Sequence, residues 1–171
     1  MVKMAIVKVT YTKSRDAAKK SARYMQHRPG KEGARESRTL FNSDGEMTKR
    51  QAYWMIDAAR KGSLFYRIVI SPDPKQEDTG RDLYMPQITE QTILTLEERV
   101  GRLVQWLAAE HSDHAPHRHV HVLAALPGKL TRADLQALRQ TATQDALGQR
   151  QERDLARQAR ALAIEEAQWA Y

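Results

Sequence analysis

The chain has 171 residues, one domain's worth by length and enough to bury a core without disulfides or structural metal. Its 28 Lys and Arg against 21 Asp and Glu leave a formal net charge of +7, which favours a polyanionic partner such as nucleic acid or an acidic membrane surface over an acidic protein ligand. A hydrophobic share of 41% and the absence of cysteine exclude wholesale disorder, disulfide scaffolds, thiolate zinc fingers, iron–sulfur sites and cysteine nucleophiles, so any metal must sit on His, Asp or Glu.

The N-terminal stretch is broken by Lys3, Lys8 and Lys13 and offers no signal-peptide core. No window approaches the roughly 18 apolar residues of a membrane span. The expectation is a cytoplasmic, soluble protein with no membrane insertion. Residues 2–11 (VKMAIVKVTY) are rich in β-branched side chains and read as a strand. Ser14 then N-caps a helix running to about Arg28, which Pro29 and Gly30 stop, and 31–38 reads as a charged loop. Residues 38–42 read as a short strand before the turn at Ser43, Asp44 and Gly45. Thr48 with Gln51 is a capping-box pattern opening a helix over 49–61, with Gly62 as its stop.

Residues 64–70 (LFYRIVI) are the clearest strand in the chain. A polar loop over 75–90, containing Pro86, leads to an amphipathic helix predicted over 92–110, and 119–126 (HVHVLAAL) reads as a strand. Thr131 with Asp134 opens further helices to Tyr171, with a break at Gly148. This order predicts an α+β fold. Its expected domains are 1–130, which carries the chemistry, and a helical extension over 131–171 packed on it or following it.

The basic excess lies entirely in the first fifty residues, with 13 Lys and Arg against 5 Asp and Glu, while the remainder holds 15 against 16. A field confined to one part of the chain suits a surface that tracks phosphates. The histidines are as uneven. Five of six fall between Glu110 and Val122, as His111, His114, His117, His119 and His121. Alternate residues of a strand share a face, so His119 and His121 can present two imidazoles to one ion. His111, placed at the end of the long helix or just past it, supplies a third if the loop containing Pro116 folds back. Three imidazoles leave coordination positions open, as in a catalytic ion site. His117 also shares the strand face if the strand begins that early. Asp113 is either a direct ligand or an outer-shell carboxylate. The H-x-H-x-D-H spacing of metallo-β-lactamase-type hydrolases is not met.

On the first helix Lys20, Tyr24 and Arg28 recur every fourth residue and stack along one face. A tyrosine between two cations is suited to meeting a phosphodiester. A half-buried core tyrosine is the competing reading, since Tyr24 also borders the apolar stripe at Met25. A phenol has a pKa of about 10 in water, so use as a nucleophile requires a base, positive charge or a polarised phosphate.

The run from His111 to Leu123 (HSDHAPHRHVHVL) resembles the third motif of DNA relaxases of the HUH endonuclease superfamily. Residues 21–28 (SARYMQHR) are similar to the tyrosine motif of mobilisation and T-DNA-transfer relaxases, and 66–72 (YRIVISP) to the strand that precedes the long helix there. The resemblance spans about residues 1–127. It implies a central, mainly antiparallel sheet of about five strands with helices packed on it, His119 and His121 on a middle strand, and the tyrosine helix laid over the metal. It further implies a site- and strand-specific nickase for plasmid or mobile-element transfer. Tyr24 would form a reversible 5′-phosphotyrosine link and release a 3′-hydroxyl. No second tyrosine adjoins Tyr24, so the implied enzyme is of the single-tyrosine kind.

In that scheme a divalent ion, Mn or Mg with Zn or Ni as alternatives, sits on His111, His119 and His121. Tyr24 and Asp113 are the candidate catalytic residues, and His114 and His117 are alternative ligands or proton-transfer groups. Lys19, Lys20, Arg23, Arg28, Lys31 and Arg35 hold the DNA backbone. The partners expected are single-stranded or supercoiled DNA at a transfer origin, with accessory relaxosome proteins. Competing readings are a rolling-circle replication initiator or transposase of the same chemistry, a water-using metal phosphodiesterase, and a non-enzymatic DNA-binding protein with a structural metal.

Overall fold

The structure, a computed structural model, describes residues 4–27, 37–112 and 116–170. Its described elements run β1 (Ile6–Thr12), α1 (Arg15–His27), β2 (Leu40–Asn42), β3 (Gly45–Met47), α2 (Lys49–Ala58), β4 (Leu64–Ser71), α3 (Met85–Val100), β5 (Gln105–His111), β6 (His119–Leu126) and α4 (Arg132–Trp169). The six strands form one open sheet in the order β1-β4-β6-β5-β2-β3, antiparallel throughout. The fold is α+β as expected, with one strand more than the five anticipated. The two strands not read from the residues are β5 and β3, and β3 returns along β2 through the Asn42–Gly45 hairpin, where Gly45 takes φ +112°.

Local chemistry accounts for several boundaries. The Ser14 hydroxyl accepts the Ala17 N–H at 3.1 Å and so caps α1. Both capping boxes are present, Thr48 with Gln51 and Thr131 with Asp134. α2 stops at Ala58, three residues earlier than Gly62 suggested.

The largest departure concerns residues 92–110, expected as one helix. α3 instead begins at Met85, with Pro86 in its first turn, where a missing N–H costs nothing. It ends at Gly101, whose φ of 70° turns the chain so that the Arg102 N–H also reaches back to the Glu97 carbonyl, at 3.2 Å. The run Trp106-Leu107-Ala108-Ala109 beyond it is strand β5, buried on both faces, which leaves no alternation to distinguish it from helix. Replacing Gly101 by Ala puts a Cβ at positive φ, in open space. The expected loss is about 1 kcal/mol, read from urea unfolding. Gly148 is likewise no break, because α4 runs straight through it as a single helix rather than several.

Two cores flank the sheet. Ile68, Ile70, Val120 and Val122 pack with α3 and with Leu138, Ala142 and Ala146 of α4 on one face. Phe65, Leu107, Ala109 and Leu123 pack with Ala18, Ala22 and Met25 of α1 and with Ala52, Met55 and Ile56 of α2 on the other. Beyond Arg150, which pairs with Asp82 at 2.6 Å, nearly all of α4 is exposed. No helix among the described residues is long and apolar enough to cross a membrane.

Candidate metal centre

The strands β5 and β6 pair in the register His111↔His119 and Ala109↔His121. Residues directly opposite in an antiparallel ladder share a face, so all three imidazoles project onto the face that carries α1. The ring centroids stand 5.2 Å apart for His111 and His119, 4.5 Å for His111 and His121, and 4.9 Å for His119 and His121. One ligand atom from each lies within 4.8 Å of the others, so the trio could hold a metal ion. His111 therefore arrives as a cross-strand neighbour of His119 and not from a helix end.

Outer contacts orient two of the rings. The Nε2 of buried His111 lies 2.9 Å from the Met25 carbonyl. A carbonyl only accepts, so Nε2–H donates and Nδ1 carries the lone pair. The Nδ1 of His119 is 3.2 Å from the His117 carbonyl, which by the same logic puts the lone pair on Nε2. Three neutral imidazoles would leave the full charge of a divalent ion and part of its coordination sphere for a ligand, and such a donor set suits Zn, Mn, Fe or Ni.

His117 is exposed and precedes β6, so its contribution to the trio is a carbonyl contact and not its ring. Asp113, His114, Arg28, Lys31 and Arg35 lie outside the described residues. Tyr24, 52% exposed, is not a core residue and sits one position before the Met25 carbonyl that meets His111. Ala18, Ala22 and Met25 face the sheet, and Arg15 and Lys19 reach α2, bonding the Ala59 carbonyl and Asp57. Helical spacing puts Tyr24 on the flank of α1 turned away from α2. Lys19, at 2.7 Å from Asp57, is thus engaged between the two helices, while Lys20 and Arg23 are exposed.

Two exposed cations, Lys8 and Arg67, were not among the backbone contacts expected from the sequence. Val69 of β4 lies beside His121, and Lys8 of β1 beside Val69; Arg67 and Thr10 form the next pair on the same face. Lys8, Thr10 and Arg67 are all exposed, so a basic strip of sheet runs from the histidines to the edge strand. The cue was the alternation in two neighbouring strands, which becomes a surface only once their pairing is known.

The back of the centre is braced. Arg118 and Glu110, the residues immediately before His119 and His111, are joined at 2.7 Å. Arg118 also bonds Asp78 at 3.2 Å and the Leu83 carbonyl at 3.1 Å. Arg81, at φ 51°, donates to the Ser112 carbonyl at 2.7 Å. The segment over 72–83 thereby holds both strand ends that carry the first histidine pair.

A cobalt(II) titration followed by visible absorption should show one ion per chain, and His121→Ala should weaken it beyond the roughly 10- to 100-fold that loss of an outer-shell partner costs. Equal uptake by both proteins would remove His121 from the ligand set.

Comparison with family models, curated proteins and solved structures gives no match, so the reading of this centre stands on its own residues.

Proposed function

We propose that the protein is a metal-dependent nickase of single-stranded DNA with a relaxase-like, HUH-type arrangement, working through Tyr24 at a transfer origin. The observation that supports this most is the convergence of His111, His119 and His121 beneath the end of the helix that bears Tyr24. The ion, Mn or Mg with Zn or Ni as alternatives, would be held by these three imidazoles and supply an electrophile for a non-bridging oxygen of the scissile phosphate.

The chain's own groups do the rest. Tyr24 Oη forms a bond to phosphorus, the bond from phosphorus to the 3′ oxygen breaks, and the phenolic proton ends on the departing 3′-hydroxyl. Asp113, His114 and His117 are the candidates to carry that proton. One phosphodiester is exchanged for another, so rejoining needs no external energy source. Lys8 and Arg67 join Lys20, Arg23, Arg28, Lys31 and Arg35 as backbone contacts, which makes affinity fall steeply with salt. Lys19, tied to Asp57, contributes by fixing α1 on α2.

The test is incubation with supercoiled origin DNA or a panel of single-stranded oligonucleotides plus Mn or Mg, resolved on a denaturing gel. A covalent protein–DNA adduct is expected. It should disappear in Tyr24→Phe, which keeps binding, and in His121→Ala. Cutting without an adduct would assign the chemistry to water, and binding of a cognate origin without cutting would make the ion structural.

A further inference from the structure

A cavity of about 550 Å³ lies between the β2–β3 hairpin, the start of α3 and the outgoing end of β5. Glu110 and Ser112, the neighbours of His111 in the chain, line it. Glu110 alternates with His111 along β5, so the cavity and the histidines occupy opposite faces of the same strand end. Its volume is that of a small-molecule site. One wall is the Tyr84 ring, 59% exposed and attached to a backbone that Gln149 fixes at both N–H and carbonyl. Another is Phe41, seated edge-on against Trp106 at 6.1 Å.

The polar lining is chiefly acidic. Glu46 and Glu90 outnumber the one cation, Arg38, among the described lining residues, while Glu110 is already paired with Arg118 at 2.7 Å. Such a lining repels phosphate and accepts hydrogen bonds from amines, while the open aromatic wall offers a stacking surface. A carboxylate accepting from the N4 amine of cytosine is an established base contact, and base–aromatic stacking tolerates any base.

We propose that this cavity receives one unstacked base carrying an exocyclic amine, with cytosine the best pyrimidine, from a strand whose phosphate lies at the histidines. Tyr84 stacks on it, Glu46 and Glu90 accept from its amine, and the sugar–phosphate chain stays outside. The inference rests on the nickase reading, and it adds sequence preference to a surface otherwise built for phosphates.

The test is fluorescence anisotropy of the full, manganese-loaded chain with oligo-dC and oligo-dT of equal length. Oligo-dC should bind about tenfold tighter. Tyr84→Ala should weaken both by roughly tenfold with metal uptake unchanged. The side chain is exposed, so the fold should survive its removal. The double variant Glu46→Ala, Glu90→Ala should bring oligo-dC down to the level of oligo-dT without weakening oligo-dT. If Tyr84→Ala binds as the parent does, or the double variant keeps the preference, the cavity is no base site and the nickase reading is untouched. If the parent protein binds neither oligonucleotide at low salt, the nickase reading fails and takes this site with it.

Discussion

Arg118→Ala is expected to lower the unfolding free energy by about 3–5 kcal/mol, because it leaves a buried carboxylate without its counter-ion. The Arg118 side chain is 11% exposed and that of Asp78 only 5%. One guanidinium serves Asp78, Glu110 and the Leu83 carbonyl at once, which the point charge of lysine cannot do. Arg118→Lys should therefore fall between the parent and Arg118→Ala. The double variant Arg118→Met, Asp78→Asn should recover most of the loss, since replacing both charges of a buried pair is often close to neutral. Urea unfolding of the four proteins measures this. A loss of under roughly 0.5 kcal/mol in Arg118→Ala, the range of an ordinary surface change, would sink the idea that the network braces the fold.

The consequence for the metal centre follows from chain position. Arg118 and Glu110 clamp the two strands one residue before His119 and His111, from the opposite face of the sheet. Cobalt affinity should drop in Arg118→Ala under conditions where the variant is still fully folded. It should return in the double variant only if packing, and not charge, keeps the strand ends in register.

Glu77→Gln should flatten the pH dependence of stability. Glu77 is fully buried, and burial raises its carboxyl to about 7, with the nearby Asp73 pushing the same way and hydrogen bonds from the Asp73 and Ala5 backbone and from Thr143 pulling it down. The unfolded chain titrates this group near its ordinary value of 4.5. Between those two values the folded state binds more protons than the unfolded one, so stability falls as pH rises from about 4.5 to 7. The penalty is absent below that window and complete above it, on the order of 3 kcal/mol. Glutamine stays neutral and can still accept from the Asp73 N–H, which now meets Glu77 Oε2. The variant should match the parent near pH 5 and exceed it near pH 8 by a few kcal/mol, on the order of that penalty. Parallel pH profiles for the two proteins would show that Glu77 is not the group responsible.

The elements that local chemistry defines were legible without coordinates. The strand over 119–126 has the bounds expected, the clear strand at 64–70 gains one residue as β4, and the capping boxes at Thr48 and Thr131 open α2 and α4 as read. Each carries its signal within a few residues, as β-branched density or a side chain that satisfies its own helix end. β5 carries no such signal. It is apolar toward both faces of the sheet, and periodicity alone cannot separate that from a buried helix. The three-residue strand β3 is visible only as the return leg of a hairpin.

Composition and motif determined that any metal would fall to His, Asp or Glu, that His111, His119 and His121 were the leading candidates for it, and that the positive charge sat near the N-terminus. These follow from residue type and short spacing, which folding does not alter. Tertiary structure decided how the three imidazoles meet, because His111 and His119, eight positions apart, become neighbours only through strand pairing. It also decided that Lys19 pairs with Asp57, that Lys8 and Arg67 border the centre, and that a segment read as a plain polar loop braces it through Asp78 and Arg81. Those contacts join residues tens of positions apart, and such contacts depend on the register and order of the strands, which no local window of sequence encodes.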